Sequence, residues 1–216
     1  MTLEFDVFWS FRSPYSYLAT HRLVAIERDY DVTLNFRPVY PIAIRMPGFF
    51  DHIDPRWLGY LLRDAKRVAD MEGLPFVWPN PDPIVQDLTT RKILDEQPYI
   101  FRLTRLGVAA CKRGRGLAFA DEMSRMIFSG ITNWHEGDHM AGAVNKAGLD
   151  LAELDAEINA DPDGHDALIK QNEADQAAAN HWGVPLMVFN GEPFFGQDRL
   201  DVLLWRMQQA GLQKRA

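Results

Sequence analysis

The stretch LEFDVFWSFRSPYSYL, residues 3–18, contains a strand pattern and the start of a helix. In its first half apolar side chains alternate with polar ones, as they do in a strand with one buried face. Ser13 has a side-chain oxygen that can cap a helix, and Pro14 suits the first helical position, where no backbone N–H is needed. The stretch therefore predicts a strand that leads directly into a helix beginning after Ser13.

The residues that follow complete a strand-helix-strand unit. Leu18, Leu23 and Ile26 keep an apolar stripe with helical spacing to about residue 29. Residues 32–36 then alternate again and predict a second strand. The order and length are those of one βαβ unit.

Beyond Pro38 the apolar spacing becomes helical, from residue 41 to about residue 182. Asp54 and Pro55 are typical of a helix start, and Gly73 is typical of a helix end. Further helices are predicted at residues 98–112, 117–128, 140–147 and 165–181.

Strand patterns return in the last part of the sequence. Residues 184–189 and 192–195 are apolar runs separated by Asn190 and Gly191, a pair typical of a hairpin turn. Asp198 is then predicted to cap a last helix. The last part of the chain is therefore a ββα unit.

The two outer units must share one sheet, because neither pair of strands is stable alone. Their order, βαβ followed by ββα, predicts an α/β, thioredoxin-like fold. Residues 1–40 and 183–216 would form the thioredoxin-like domain. Residues 41–182 would form an all-helical domain inserted between its halves.

Composition argues against several kinds of partner. The formal net charge of −7 opposes nonspecific attraction to nucleic acids. No window approaches the roughly 20 apolar residues of a membrane-spanning helix, so we expect no membrane partner. We expect a cytoplasmic location. Cys111 is the one cysteine, which excludes an internal disulfide or a CxxC redox pair. We expect it to be a buried or half-buried structural residue.

Residues 13–16, SPYS, stand at the predicted start of the first helix, where a thioredoxin-like protein carries its reactive group. They have the spacing of a CxxC pair with serine at both ends. A serine with no base nearby is a poor nucleophile, but Ser13 could donate a hydrogen bond to a bound thiolate and lower the pKa of that thiol. The alternative is that Ser13 is only a helix cap.

Two further segments suit a peptide-like ligand. A cis peptide bond between Val184 and Pro185 would leave the Val184 backbone free to pair with such a ligand, whereas Pro185 could also simply begin a strand. Residues 195–199, FGQDR, place a glycine, an amide and a carboxylate at a predicted helix start. Backbone N–H groups there could hold a carboxylate, and Asp198 could accept from an ammonium group. Simple capping by Asp198 is the alternative.

The segment HEGDH, residues 135–139, matches the zinc motif HExxH. That motif needs both histidines on one helix face and a third ligand. Gly137 lies inside the segment, and the helical spacing resumes only at Met140. We therefore expect no metal site here.

With these residues in view, the chain resembles the 2-hydroxychromene-2-carboxylate isomerases and their relatives, the kappa-class glutathione transferases of the DsbA-like thioredoxin superfamily. The resemblance covers nearly the whole chain. It is carried by three motifs, which are SPYSYLA at residues 13–19, GVP at residues 183–185 and FFGQDRLDVL at residues 194–203.

The resemblance implies a glutathione cofactor and a homodimer. It places Ser13 beside the glutathione thiolate and makes it the catalytic residue. It pairs Val184, before a cis Pro185, with the cysteinyl backbone of glutathione. It places the γ-glutamyl end against the segment formed by Phe195, Gly196, Gln197 and Asp198.

The chain departs from the family in the loop MPGFFDHIDPRW, residues 46–57. The loop lacks an asparagine that relatives often carry, and Trp57 stands where relatives have a lysine. Arg45 and His52 are candidates to bind the carboxylate of a small aromatic or enone substrate, beside Trp57.

The resemblance implies a glutathione-dependent isomerase that acts in aromatic catabolism by reversible thiolate addition to a conjugated enone. Three alternatives are a glutathione transferase or peroxidase on other electrophiles, a protein that binds glutathione without turnover, and a disulfide oxidoreductase. The absence of a cysteine pair argues against the last of these.

Overall fold

The computed structural model describes residues 2–50, 53–87 and 92–215. The first unit consists of β1 (Leu3–Trp9), α1 (Pro14–Asp29) and β2 (Val32–Pro38). The last unit consists of β3 (Leu186–Phe189), β4 (Glu192–Phe195), a short 3-10 turn (Gln197–Arg199) and α9 (Leu200–Gln209). Between them lie the helices α2 (Ile42–Arg45), α3 (Pro55–Glu72), α4 (Ile100–Lys112), α5 (Gly116–Ile127), α6 (His139–Lys146), α7 (Leu151–Ala160) and α8 (Pro162–Ala178).

The two outer units form one sheet in the order β2-β1-β3-β4. The β1 strand runs parallel to β2 and antiparallel to β3, and β3 forms a hairpin with β4. Asn190 and Gly191 lie at the hairpin turn with positive φ angles of 52° and 79°, as the Asn-Gly pair predicts. The predicted α/β, thioredoxin-like order is confirmed. The domain boundaries stay a prediction.

Local signals at helix ends agree well with the structure. The Ser13 side chain accepts from the Ser16 N–H and Pro14 begins α1, as predicted. Asp54 caps α3 in the same way, and Gly73 ends it in the left-handed conformation with φ 67°. The helices predicted at residues 98–112, 117–128 and 140–147 correspond to α4, α5 and α6.

Two helical predictions were wrong or incomplete. The sequence did not predict α7, in which only Leu154 and Ile158 are fully buried, so its apolar stripe is short. The helix predicted at residues 165–181 begins earlier, because Asp161 caps it, and ends earlier, because Asn180 adopts a left-handed φ of 59°.

No helix was predicted between Gly73 and residue 98, and residues 74–87 contain none. Pro75, Pro79, Pro81 and Pro83 explain this, since proline cannot donate the backbone hydrogen bond that a helix interior needs.

One hydrophobic core joins the sheet to the helices between β2 and β3. The ring of Phe11, just before Ser13, lies edge-on to Trp9 of β1 at 4.7 Å and to Phe119 of α5 at 5.7 Å. Tyr17 of α1 stacks on Phe128 at 4.9 Å. The start of α1 is therefore fixed from both sides. In the residues that the structure describes, no helix is long and apolar enough to cross a membrane.

Candidate functional site

Ser13 lies where α1 meets the segment before β3. Its hydroxyl accepts from the Ser16 N–H at 3.2 Å and donates to the Val184 carbonyl at 3.4 Å. Ser13 is half-buried, whereas Ser16 is fully buried, so Ser13 is the serine of the SPYS motif that a ligand can reach. The fold has brought together two motifs that are 171 residues apart.

The peptide bond between Val184 and Pro185 is cis. The Pro185 carbonyl accepts from the Gly196 N–H at 3.0 Å, which joins this segment to the turn after β4. Within residues 2–50, 53–87 and 92–215, no protein group accepts a hydrogen bond from the Val184 N–H. That N–H is a donor available to a ligand beside Ser13.

Gly196 begins the turn after β4 with a φ of 106°, a conformation that favours glycine. A Cβ atom there would lie 2.6 Å from Oδ1 of Asp198. The Gln197 carbonyl accepts from Arg22 of α1 at 3.5 Å. The turn is thus held against α1 on the side of the sheet where Ser13 lies.

The prediction that Asp198 caps the last helix was wrong. Asp198 lies inside the 3-10 turn, and α9 begins at Leu200 with no side-chain cap. The Asp198 carboxylate is exposed and pairs with Arg199 at 3.2 Å. The exposed carboxylate is free of a capping role and can accept from a ligand.

Six aromatic rings form a continuous surface on one side of the site, which we call the aromatic wall. Neighbouring ring centroids along it are between 4.3 and 6.0 Å apart. Three of the rings are a little less than half exposed, namely Trp57 at 42%, Trp182 at 48% and Phe195 at 43%. In order, the wall consists of Phe195, His181, Trp182, Phe49, Phe50 and Trp57.

The aromatic wall connects two predicted subsites. Phe195, predicted at the γ-glutamyl end of glutathione, packs its ring against Gly183, where a Cβ atom would lie 2.2 Å from Cε2 of Phe195. Trp57, predicted at the substrate, closes the other end. Burial lowers the pKa of His181, which favours the neutral imidazole within this surface.

Arg45 and His52 were both predicted to bind the substrate. The Arg45 guanidinium donates to the Tyr40 carbonyl at 2.6 Å, to Oε1 of Gln176 at 2.9 Å and to the Trp182 carbonyl at 2.9 Å. Its charge therefore faces protein acceptors beside the aromatic wall. His52 lies outside the described residues.

Tyr15, Tyr60 and Asp64 form a cluster near Ser13 that sequence reasoning missed. The Tyr15 hydroxyl donates to Oδ2 of Asp64 at 2.7 Å, and the Tyr60 hydroxyl donates to Oδ1 at 3.2 Å. Burial and then the hydrogen bond to Asp64 raise the pKa of Tyr15 above its ordinary value. The spacing of Tyr60 and Asp64 on one helix was visible in the sequence, but their contact with α1 was not.

A second missed contact holds the turn before Ser13. Arg12 donates from Nε and Nη2 to the two carboxylate oxygens of Asp82, at 3.1 and 3.0 Å. Asp82 also accepts from the indole N–H of Trp78 at 3.3 Å and from the Ile84 N–H at 2.9 Å. Since the charge of Arg12 is paired, its contribution is to fix the turn.

Other candidate groups lie elsewhere. His135 belongs to a turn before α6 and contacts Tyr99 at 4.5 Å between ring centroids, while His139 begins the helix, so the two do not share a helix face. A cavity of about 580 Å³ lies along β2 and contains Cys111, but none of the predicted site residues. The candidate site is therefore the region around Ser13, Val184 and the aromatic wall.

The comparison with protein families agrees with the thioredoxin-like fold. The family profile described as the DSBA-like thioredoxin domain matches residues 4–208. The chain belongs to the DsbA-like thioredoxin family. This DsbA-like protein carries Ser13 and Ser16 at CxxC spacing, and its one cysteine lies on α4.

Proteins similar to this chain include 2-hydroxychromene-2-carboxylate isomerases. This DsbA-like chain is 25% identical over 210 residues to a 2-hydroxychromene-2-carboxylate isomerase from Pseudomonas putida, covering 92% of the chain and 91% of the relative. A solved structure of a 2-hydroxychromene-2-carboxylate isomerase matches with a TM-score of 0.72 at 20% identity, covering 96% of each chain.

A further solved structure, the cytosolic disulfide reductase DsbM from Pseudomonas aeruginosa with GSH, has a TM-score of 0.57 at 13% identity, covering 96% of this chain and all of that one (100%). At these identities the two solved structures show that the fold is shared.

Proposed function

We propose that this protein is a glutathione-dependent isomerase of the 2-hydroxychromene-2-carboxylate isomerase type. The observation that carries the proposal is the Ser13 hydroxyl at the start of α1, beside a free Val184 N–H and with no protein thiol in the site. The names of the relatives support the reaction type. Glutathione would supply a thiolate that adds reversibly to a conjugated enone and so allows rotation about the former double bond.

The residues present fit glutathione in three places. The Val184 N–H can donate to the cysteinyl backbone. Gly196 lets the Asp198 carboxylate lie close to the turn, since a Cβ atom at residue 196 would lie 2.6 Å from its Oδ1, and Asp198 can accept from the γ-glutamyl ammonium. Ser13 gives up only a long hydrogen bond of 3.4 Å when its hydroxyl turns toward sulfur.

Ser13 and the helix N-terminus would act on the same charge. A hydroxyl that donates to a thiolate stabilises it relative to the thiol, and the dipole of α1 does the same. Both effects lower the pKa of the thiol, so that more thiolate is present near neutral pH. The aromatic wall offers a surface on which a planar aromatic substrate can stack. A homodimer and a cytoplasmic location remain predictions.

The test is Ser13→Ala. We expect the pKa of bound glutathione to rise by about one unit and turnover near neutral pH to fall about tenfold, because one charge-assisted hydrogen bond is lost. The thiolate absorbance of the complex, followed against pH, measures the first effect, and steady-state kinetics on a chromene carboxylate measures the second.

Asp150→Ala is the matched control. Asp150 caps α7 through the Glu153 N–H at 3.0 Å, so its loss removes a helix cap far from the site. In each variant the loss of a helix cap should lower the free energy of unfolding by about 1 kcal/mol. Only Ser13→Ala should shift the titration, and an identical titration in both variants would remove Ser13 from the mechanism.

A glutathione transferase acting on neutral electrophiles is the second candidate. The observation that favours it is the engagement of Arg45 with protein acceptors, together with Trp57 at the position where relatives have lysine. Comparing kcat/KM on a chromene carboxylate with kcat/KM on chlorodinitrobenzene separates the two functions.

A further inference from the structure

Three consecutive backbone carbonyls before β3 each accept a hydrogen bond from a side chain. Arg45 donates to the Trp182 carbonyl at 2.9 Å. Gln176 donates from Nε2 to the Gly183 carbonyl at 2.6 Å. Ser13 donates to the Val184 carbonyl at 3.4 Å. Side chains from three separate elements therefore fix the orientation of this segment.

Arg45 and Gln176 act as one unit. Nη1 of Arg45 donates to Oε1 of Gln176 at 2.9 Å, so the Gln176 amide must turn its Nε2 toward Gly183. Gln176 is fully buried, which makes each of these bonds costly to lose. Nε of Arg45 also donates to the Tyr40 carbonyl at 2.6 Å, so both side chains are held in place.

The planarity of the peptide bond links these contacts to the ligand. The Gly183 carbonyl and the Val184 N–H belong to one peptide plane and point in opposite directions. When Gln176 fixes the carbonyl, it also fixes the direction of the Val184 N–H. That N–H is the free donor next to Ser13.

We propose that Arg45 and Gln176 are positioning residues that aim the Val184 N–H at the glutathione backbone. This inference rests on the proposed function only in naming glutathione as the ligand. It differs from the prediction that Arg45 binds a substrate carboxylate. In this proposal Arg45 acts through Gln176 and the Trp182 carbonyl and needs no contact with the substrate.

Binding and kinetics test the proposal with four variants. In Arg45→Met and Gln176→Leu, we expect the Kd and the KM for glutathione to rise about tenfold, while the KM for the electrophile stays within about twofold. Gln176→Glu can still accept from Arg45 but cannot donate to Gly183, so it should behave like Gln176→Leu.

The fourth variant, Arg45→Lys, separates geometry from charge. Lysine keeps the charge but cannot reproduce three bonds in fixed directions, so glutathione binding should be nearly as weak as in Arg45→Met. If Arg45 instead binds a substrate carboxylate, Arg45→Lys should turn over a chromene carboxylate faster than Arg45→Met does, because lysine keeps the positive charge. In that case Arg45→Met would raise the KM for a chromene carboxylate but not for chlorodinitrobenzene, and this result would overturn the proposal.

Amide hydrogen exchange tests the positioning without any ligand. The Gly183 N–H donates to His181 at 2.9 Å and the Gly196 N–H to Pro185 at 3.0 Å, so both report on this segment. We expect exchange at both to be about tenfold faster in Arg45→Met and Gln176→Leu. Unchanged exchange would contradict the proposal, even if glutathione proved not to bind the wild-type protein.

Arg102→Met is the control for general destabilisation. Arg102 pairs with Asp155 on α7 through Nε at 2.8 Å, a partly buried contact away from Ser13. It should leave exchange at Gly183 and Gly196 and the affinity for glutathione unchanged. Absence of glutathione binding in the wild type would reject the proposed function, while the exchange result would still decide the roles of Arg45 and Gln176.

Discussion

At the scale of single residues, Cys111 shows how burial lowers the reactivity of a thiol. It is the protein's one thiol, and its Sγ donates to the Phe36 carbonyl at 3.3 Å. Burial raises the pKa of Cys111 from 9.0 to about 12. The expected half-buried position is confirmed. A thiol with this pKa contributes almost no thiolate at neutral pH.

The raised pKa of Cys111 predicts a pH dependence of stability. Well below pH 9.0 the thiol is protonated in the folded and unfolded states alike, so it adds no pH dependence there. Between pH 9.0 and about 12 only the unfolded chain ionises, which lowers the free energy of unfolding. Urea unfolding should therefore show a steeper loss of stability above pH 9.0 in the wild type than in Cys111→Ala.

If the free energy of unfolding fell with pH equally in the wild type and in Cys111→Ala, the raised pKa of Cys111 would be contradicted. Cys111→Ala should also retain full glutathione-dependent turnover, since Cys111 lies on α4 and is not among the residues around Ser13. Loss of turnover in a folded Cys111→Ala protein would show that the protein uses its own thiol.

At the scale of elements, the site depends on how closely the segment before β3 approaches β4. Gly183 permits the Phe195 ring to lie directly against the backbone. The same ring contacts His181 at 4.3 Å between centroids, so it forms one end of the aromatic wall. A side chain at Gly183 would separate the two segments that carry the predicted glutathione contacts.

Gly183→Ala should therefore displace Phe195 and weaken glutathione binding by about tenfold or more, because the added Cβ overlaps the ring. Isothermal titration calorimetry measures the affinity. Gly142→Ala is the matched control, since a Cβ there meets nothing within 4 Å and alanine is the better helix former. Equal affinities in the two variants would show that Phe195 does not contribute to binding.

At the scale of the whole molecule, the helices between β2 and β3 support the thioredoxin-like part through a shared core. Phe119 of α5 reaches the ring of Phe11, two residues before Ser13. Phe119 is 1% exposed and belongs to the same buried cluster as Trp9 of β1. The two parts should therefore unfold together.

Phe119→Ala should lower the free energy of unfolding by about 3–5 kcal/mol, through lost burial and an internal cavity. Urea transitions followed by circular dichroism and by glutathione binding should coincide before and after the change. The exposed Leu168→Ala should change stability by less than about 0.5 kcal/mol. Two separated transitions would show instead that the predicted domains of residues 1–40 with 183–216 and 41–182 fold independently.

Several parts of the fold could be predicted because their signals are local. The Ser13 cap, the Asp54 cap and the Asn190 turn each depend on a few neighbouring residues whose side chains or φ angles act on the adjacent backbone. The α7 helix escaped prediction because only two of its residues are fully buried. Asp198 was misassigned because capping depends on where α9 begins, which packing decides.

The sequence by itself determined the order of the elements, the helix start at Ser13 and the absence of a cysteine pair, since alternation, caps and residue identity are properties of short stretches. Only the tertiary structure decided which distant groups meet, because side-chain partners depend on packing between elements. It paired Arg45 with Gln176 and Trp182, and it placed Ser13 beside Val184 across 171 residues of sequence.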